Sequence, residues 1–412
     1  GHQKGRLVMA SQKKKIQILT SDMGFGHRSA AEAIASALSE KYGDHCECKI
    51  ENPLNHPKAP NIARESQSNY DEIVKNLPEM YKMGYRISDS TLPVTLMEGA
   101  FIAALYEPIK ETIKAFQPDL VITAYPIYQA PIDAFLTLNN QHIPLMTVVT
   151  DLVTVHHVWF NPRVTRLTVP TDAVKERALK AGLKPGQIIK TGIPINPQIL
   201  ALKQKDVPEL RKALNWQTDP VTVLAVASPR VSVLTDILET LDHSGFDLQF
   251  ALVAGGNDDL YRIFQETDWH HPAAVYNFVE FIPKLMRAAD IILCKAGGLI
   301  VTESLSSGLP IMVSQAIPGQ EEGNLGFIVD NHAGARCLTP LDALKTLSHW
   351  LAHDRGLLKE VSANAEILVP ADAAYRVADS AWDMLENPVE DRRKRETGPL
   401  RDLLARFNIT SS

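Results

Sequence analysis

No pair of cysteines in this chain has the spacing of a metal knuckle or a redox motif. Cys46, Cys48, Cys294 and Cys337 are all there are in 412 residues, which argues against a zinc site or disulfide framework and for a reducing compartment. No run of about 18 apolar residues occurs, so no segment reads as a membrane span. The opening GHQKGRLVMASQKKK lacks the apolar stretch of a signal peptide and reads as a disordered tail or expression remnant over 1–15. No D-x-D occurs, so no acidic pair is at hand to clamp a divalent ion on a diphosphate. Charge of one sign is also missing: residues 1–200 carry +3 and the rest −9, within a net −6. That disfavours nucleic acid and leaves the first half better placed to meet an anionic surface.

What is present is material for a large interior. Hydrophobic residues make up 45% and charged residues 22%, and 412 residues exceed what one core of roughly 250 to 300 residues can serve. Two domains are expected. The run IQILTSD (16–22) enters a glycine-containing turn and is followed by HRSAAEAIASALSEKY, which has helix formers at helical spacing. DLVITAYP (119–126), PLMTVVTDL (144–152) and VTRLTVPT (164–171) continue the alternation. After the proline-rich TGIPINP, a second series begins with strands expected at 221–228, 247–255, 274–281, 290–297 and 310–316. Strands alternating with helices imply parallel sheets covered on both faces, hence an α/β fold of two doubly wound Rossmann-like domains facing a cleft. The expected limits are 16–195 and 206–370, with C-terminal helices over 371–412 crossing back to the first domain. Between 56 and 117, large apolar side chains mix with Lys75, Lys82, Arg86, Lys110 and Lys114. That segment reads either as helix packed on the sheet or as a lipid-facing insertion.

Three places carry possible chemistry. The loop GFGH ends the first strand, with Gly24 and Gly26 permitting a tight turn and His27 in an exposed position, able to take a proton from an alcohol near neutral pH. Its plainer role would be a helix cap. The second is TDLVTVHHVWF, with Asp151, His156 and His157. Adjacent histidines send their rings apart in regular structure, and no third ligand has suitable spacing, so a polar acceptor-side cluster is preferred over a metal site. The third and strongest is CKAGGLIVTESLSSGLPIMVSQAIPGQEEGN (294–324). Gly297 and Gly298 stand between strand and helix, where backbone N–H groups favour a diphosphate. Glu303 lies a turn later, placed to accept ribose hydroxyls, and a following loop offers Gln320, Glu321 and Asn324 to sugar hydroxyls.

These segments resemble the monogalactosyldiacylglycerol synthase and diacylglycerol glucosyltransferase branch of glycosyltransferase family 28. TSDMGFGHRSAAEAI is similar to the family's S-D-x-G-x-G-H-x-x-A-A-x-A-I, VVTDLVTVHHVWF to its V-x-T-D…H-x-x-W-F, TGIPINP to its interdomain G-I-P-I, and KAGG, TES, GLP and GQEEGN to its nucleotide-sugar signature. The resemblance implies the GT-B fold and inverting transfer of galactose or glucose from a UDP-sugar to diacylglycerol or a related lipid, without metal or other cofactor. It also implies a cytoplasmic enzyme peripherally bound to an anionic membrane. By it, Phe281 and Ile282 meet uracil, Gly297 and Gly298 the diphosphate, Glu303 the ribose, and Gln320, Glu321 and Asn324 the sugar. His27 becomes the general base and Asp151 its support or an acceptor contact. One departure stands out: where the family has a glycine-rich loop, this chain reads ASPRVSV (227–233). Ser228 and Arg230 would then serve the diphosphate. That departure keeps open a nucleotide-sugar-binding protein with reduced or no activity, beside a UDP-sugar epimerase of the same fold.

Overall fold

The computed structural model describes residues 12–22, 25–65, 93–228, 231–389 and 396–411. The chain separates into two units, one of 1–150, 156–194 and 374–412, the other of 151–155 and 195–373. Each is built on a six-stranded sheet whose neighbouring strands all pair in parallel.

The first sheet has the order β2-β1-β3-β4-β5-β6. Its strands are β1 (Lys14–Leu19), β2 (Cys46–Glu51), β3 (Leu120–Thr123), β4 (Leu145–Val148), β5 (Arg166–Val169) and β6 (Ile188–Lys190). From β1 the chain winds outward to β2 in one direction and from β3 to β6 in the other. The point of reversal therefore lies between β1 and β3, where an open α/β sheet leaves a crevice at the strands' carboxyl ends. The second sheet, β12-β11-β10-β7-β8-β9, comprises β7 (Val221–Val226), β8 (Leu248–Val253), β9 (Ala273–Tyr276), β10 (Ile291–Lys295), β11 (Ile311–Gln315) and β12 (Gly334–Arg336). Its reversal point falls between β7 and β10.

The apolar runs read from the sequence become the central strands, β3, β4, β8 and β11 being buried at nearly every position. The run expected as strand over 274–281 ends at Tyr276, after which the chain turns into helix Ile282–Ala288. Pro283 explains this in part, since proline fits the start of a helix, where its missing N–H is not needed.

Helix Ala373–Glu386 packs Ala374, Val377, Ala378, Ala381 and Met384 into the core of the first unit beside Ile16, Ile34 and Leu38. Trp382 stacks on Tyr42 at 4.8 Å and 11°, and Lys41 pairs with Asp379 at 2.5 Å. The aromatic pair adds about 0.5 to 1.5 kcal/mol beyond the area it covers.

Helix Pro93–Phe116 is core at Phe101, Ile102, Leu105, Tyr106 and Ile109, all at most 1% exposed. For this helix the packed reading of the two holds, while residues 66–92 lie outside the described residues. Lys110, expected to meet a membrane, is 6% exposed and donates to Glu107 at 3.1 Å and to Thr410 Oγ1 at 3.2 Å. Lys114 is exposed, while Lys75, Lys82 and Arg86 lie outside the described residues. Among the described residues no helix is long and apolar enough to cross a membrane.

Candidate functional site

Each reversal point collects the residues singled out in the sequence. At the first, the chain leaves β1 and enters helix Phe25–Tyr42, so His27 sits in the helix's first turn. It is 7% exposed rather than displayed on an open turn. The correction has a simple cause: the ring reaches across the crevice to the segment after β3 instead of capping its own helix. His27 Nδ1 lies 2.9 Å from the carbonyl oxygen of Ala124 and 2.9 Å from Thr150 Oγ1. A carbonyl only accepts, so Nδ1 carries the proton and Nε2 becomes the proton-accepting nitrogen of the neutral ring. Tyr125 meets the imidazole edge-on at 5.2 Å and Trp159 lies at 6.1 Å. Gly26 is part of the same helix, and a Cβ there would meet nothing within 4 Å. Its backbone therefore does not require glycine for turning. Gly24 lies outside the described residues.

His156 and His157 do not diverge as expected. Their rings stand 4.1 Å apart at 31°, because neither belongs to a long regular element: His156 is extended and caps the short helical turn His157–Trp159, its Nδ1 accepting from Val158 N at 3.0 Å. A cavity of about 60 Å³ opens beside them, walled by Met97, Phe101, Pro126, His157, Val158 and Phe160. Gln129 fixes this wall, taking Thr147 Oγ1 on its carbonyl and donating to Val158 O at 3.0 Å. Asp151 is half-buried and begins the short segment that clusters with the second unit.

At the second reversal point, Gly297 is the N-cap of helix Gly298–Ser306 and supplies no side-chain cap. The first N–H groups of that helix therefore remain available to an anion. Gly298 is exposed, and a Cβ on it would meet nothing. Neither glycine has a positive φ, so what they contribute is room for a ligand. Lys295 lies against this turn, its Cε 3.3 Å from where a Gly297 Cβ would be. A cation ending a strand beside a glycine turn is chemically suited to an anion, and the sequence reading had not singled it out. Across the reversal point, after β7, Ser228 is 6% exposed and its Oγ has no hydrogen-bond partner. Arg230 lies outside the described residues.

Glu303 projects from the helix's second turn. Burial raises its carboxyl from 4.5 to about 7, so at neutrality it is poised between acceptor-only carboxylate and neutral acid. The stretch expected as a sugar-binding loop is instead the start of helix Gln320–Asp330. Gly319, at φ 101°, turns the chain into it, and Glu321 and Glu322 favour its positive end. Gln320 therefore heads a helix; its side chain lies outside the described residues. Glu321 Oε1 is buried without a hydrogen-bond partner. Asn324, 2% exposed, spends its amide on the carbonyl of Ala296 at 3.0 Å, which ties this helix to the glycine turn. Gly323 lets the segment 151–155 approach, since a Cβ there would fall 2.3 Å from Thr154 Oγ1. Phe281 is the N-cap of helix Ile282–Ala288, of which Ile282 is the first residue, and it packs on Ile195, Ile199 and Ala371.

A buried orphan hydroxyl, an orphan carboxylate oxygen and an uncapped helix end around one crevice are unusual in a finished interior. Together they fit a diphosphate ester. The sequence of residues 27–195 matches the model of the monogalactosyldiacylglycerol (MGDG) synthase family. Monogalactosyldiacylglycerol synthase of Spinacia oleracea is 30% identical over 396 residues, 93% of this chain and 74% of the relative. The chain belongs to that family. Monogalactosyldiacylglycerol synthase 2 of Arabidopsis thaliana is 29% identical, with 98% and 86% covered. Among solved structures, MurG of Acinetobacter baumannii superposes with TM-score 0.57 at 15% identity, covering 90% of this chain and all of that one. S. aureus MnaA bound to UDP gives 0.56 at 14%, with 93% and 100% covered. At such identities these two speak for the fold alone, the pair of Rossmann-like domains of GT-B proteins.

Proposed function

We propose that this member of the synthase family transfers galactose from UDP-galactose to the free hydroxyl of diacylglycerol, with inversion. The relatives' names motivate galactose and diacylglycerol, and the helix end at Gly297 motivates the diphosphate carrier. The observation that carries the mechanism is the His27 tautomer: with Nδ1–H held by Ala124 and Thr150, Nε2 is the atom that takes the proton. As the hydroxyl loses that proton to Nε2, its oxygen forms the new bond to the anomeric carbon. The bond from that carbon to the β-phosphate oxygen breaks on the opposite face, and its electron pair leaves with UDP.

The second unit holds the donor: helix Gly298–Ser306 and Lys295 neutralise the departing diphosphate, with Ser228 as a further donor. Glu303 accepts the ribose hydroxyls and Glu321 those of the hexose. Asn324 acts by fixing the turn. With that charge supplied by protein groups, no metal is required for leaving-group departure. The apolar wall around Phe101, Val158 and Phe160 suits the first methylenes of a lipid's acyl chain. Peripheral attachment to an anionic membrane on its cytoplasmic side agrees with four free cysteines, with the exposed Lys114 and with Lys75, Lys82 and Arg86 of the sequence.

The test is lipid analysis after incubating diacylglycerol vesicles separately with UDP-galactose and UDP-glucose. A new monohexosyl lipid formed chiefly from UDP-galactose is expected. Consumption of UDP-sugar without any acceptor, or binding without turnover, would overturn the proposal.

A further inference from the structure

At the other end of the second sheet lies a cluster that the transferase chemistry does not use. Asp242 ends helix Val231–Asp242 and His243 follows it, whereas His270 lies in the connection between helix Asp258–Glu266 and β9. Potential ligand atoms of the three all lie within 4.8 Å of one another. Among the described residues it is the one group of three or more such side chains gathered this closely.

The arrangement is prepared for a cation in two ways. His243 Nδ1 lies 2.8 Å from the carbonyl of Glu239, so that nitrogen bears the proton and Nε2 presents its lone pair. Histidines that bind metals are commonly oriented by such a bond on the far nitrogen. Asp242 is 3% exposed and held on several sides: Oδ2 accepts the backbone N–H of His270 at 3.0 Å, and Oδ1 accepts that of His271 at 3.1 Å, with His271 Nδ1 at 2.9 Å. A carboxylate offers about four lone-pair positions, so one on Oδ2 is left over. Both imidazoles are exposed and their rings stand 4.3 Å apart. The turn of roughly an ångström needed to bring three ligands to about 2.1 Å from one ion is open to them.

We propose that Asp242, His243 and His270 form a site for one divalent cation of the zinc class, which staples the end of one helix to the loop that follows the next. Two imidazoles and a carboxylate select zinc, nickel or copper over calcium or magnesium. β7, β8 and β9 run parallel, and the cluster precedes β8 and β9 while Ser228 follows β7. A strand's length, about 20 Å, separates it from the donor crevice, so its role is structural.

The experiment is isothermal titration of the full, metal-stripped chain with zinc chloride, in parallel with His243→Ala, His270→Ala and their double variant, each also followed by thermal unfolding and by turnover. One zinc per chain is expected, with at least tenfold weaker binding in each single variant. Zinc should raise the melting temperature of the wild type by a few degrees but not that of the double variant, with turnover unchanged throughout. Magnesium at the same concentration should do neither. Zinc binding that is absent, or equally strong in the double variant, overturns the site; a loss of turnover on stripping overturns its structural role.

Discussion

The ribose contact proposed for Glu303 would tie donor affinity to pH in a calculable way. Burial favours the neutral acid and lifts the carboxyl to about 7, whereas two ribose hydroxyls are accepted best by the ionised form. Binding must therefore expel a proton, and affinity must rise with pH. With a pKa near 7 the ionised fraction is about one tenth at pH 6, one half at pH 7 and nine tenths at pH 8. If the carboxylate alone binds, the apparent dissociation constant falls about tenfold from pH 6 to 8. UDP-galactose is the ligand to use, because both its phosphates are esterified and neither titrates in this range, unlike the terminal phosphate of UDP. Titration calorimetry without lipid acceptor at five pH values gives the slope, and Glu303→Gln should flatten it. A flat profile in the wild type, a slope of opposite sign, or a slope that persists in Glu303→Gln would refute the assignment.

Replacing Glu303 with alanine should weaken UDP binding by about 1.5 to 3 kcal/mol, about 10- to 150-fold in dissociation constant by equilibrium titration. Because the folded pKa of Glu303 lies above its unfolded 4.5, burial of the acid form contributes stability below pH 4.5 that disappears as pH rises through 7. Glu303→Gln should accordingly gain on the wild type in stability between pH 5 and 9, by up to about 3 kcal/mol, read as a higher melting temperature. His27→Ala should lower turnover by about 100- to 10,000-fold and leave UDP-galactose affinity unchanged; loss of donor affinity would make His27 a donor ligand. Activity should survive excess EDTA, and inactivation reversed by magnesium would contradict a leaving group neutralised by protein alone. Gly334→Ala would drive a Cβ to 2.2 Å from the carbonyl oxygen of Ile311 and should cost roughly 3 kcal/mol, read as a lower unfolding midpoint.

How far the sequence could be read depended on where each element lies in its sheet. β3, β4, β8 and β11 are interior strands covered on both faces, so each is an unbroken apolar run visible in one dimension. The strands that went unread are β2, CECKIE, β6, IIK, and β12, GAR. All three are edge strands. An edge strand needs apolar residues on one side at most and is kept short or charged to discourage pairing with other chains, so it carries no periodic signal. The glycine turn at 297 and Glu303 were legible because a motif fixes their order along the chain. Thr150, Lys295 and the amide of Asn324 were not recognised for their contacts, since each acts on a partner that only tertiary structure identifies: His27 for Thr150, the Gly297 turn for Lys295, and the Ala296 carbonyl for Asn324.

The same physical reason governs why His27 looked like a surface residue. From the sequence it follows two glycines, and such a turn is usually solvated. Its burial is decided by β3, nearly a hundred residues on, whose carboxyl end delivers the carbonyl of Ala124 to Nδ1. A backbone carbonyl cannot be mutated away, and it cannot donate. It therefore sets the tautomer whatever side chain stands at 124, and Thr150 adds a contact that only a hydroxyl can make. If tautomer control is the purpose of this geometry, Thr150→Val should leave the Ala124 bond intact and reduce turnover far less than His27→Ala does. Rates that fall equally in both variants would show instead that the hydroxyl, and not the carbonyl, orients the base.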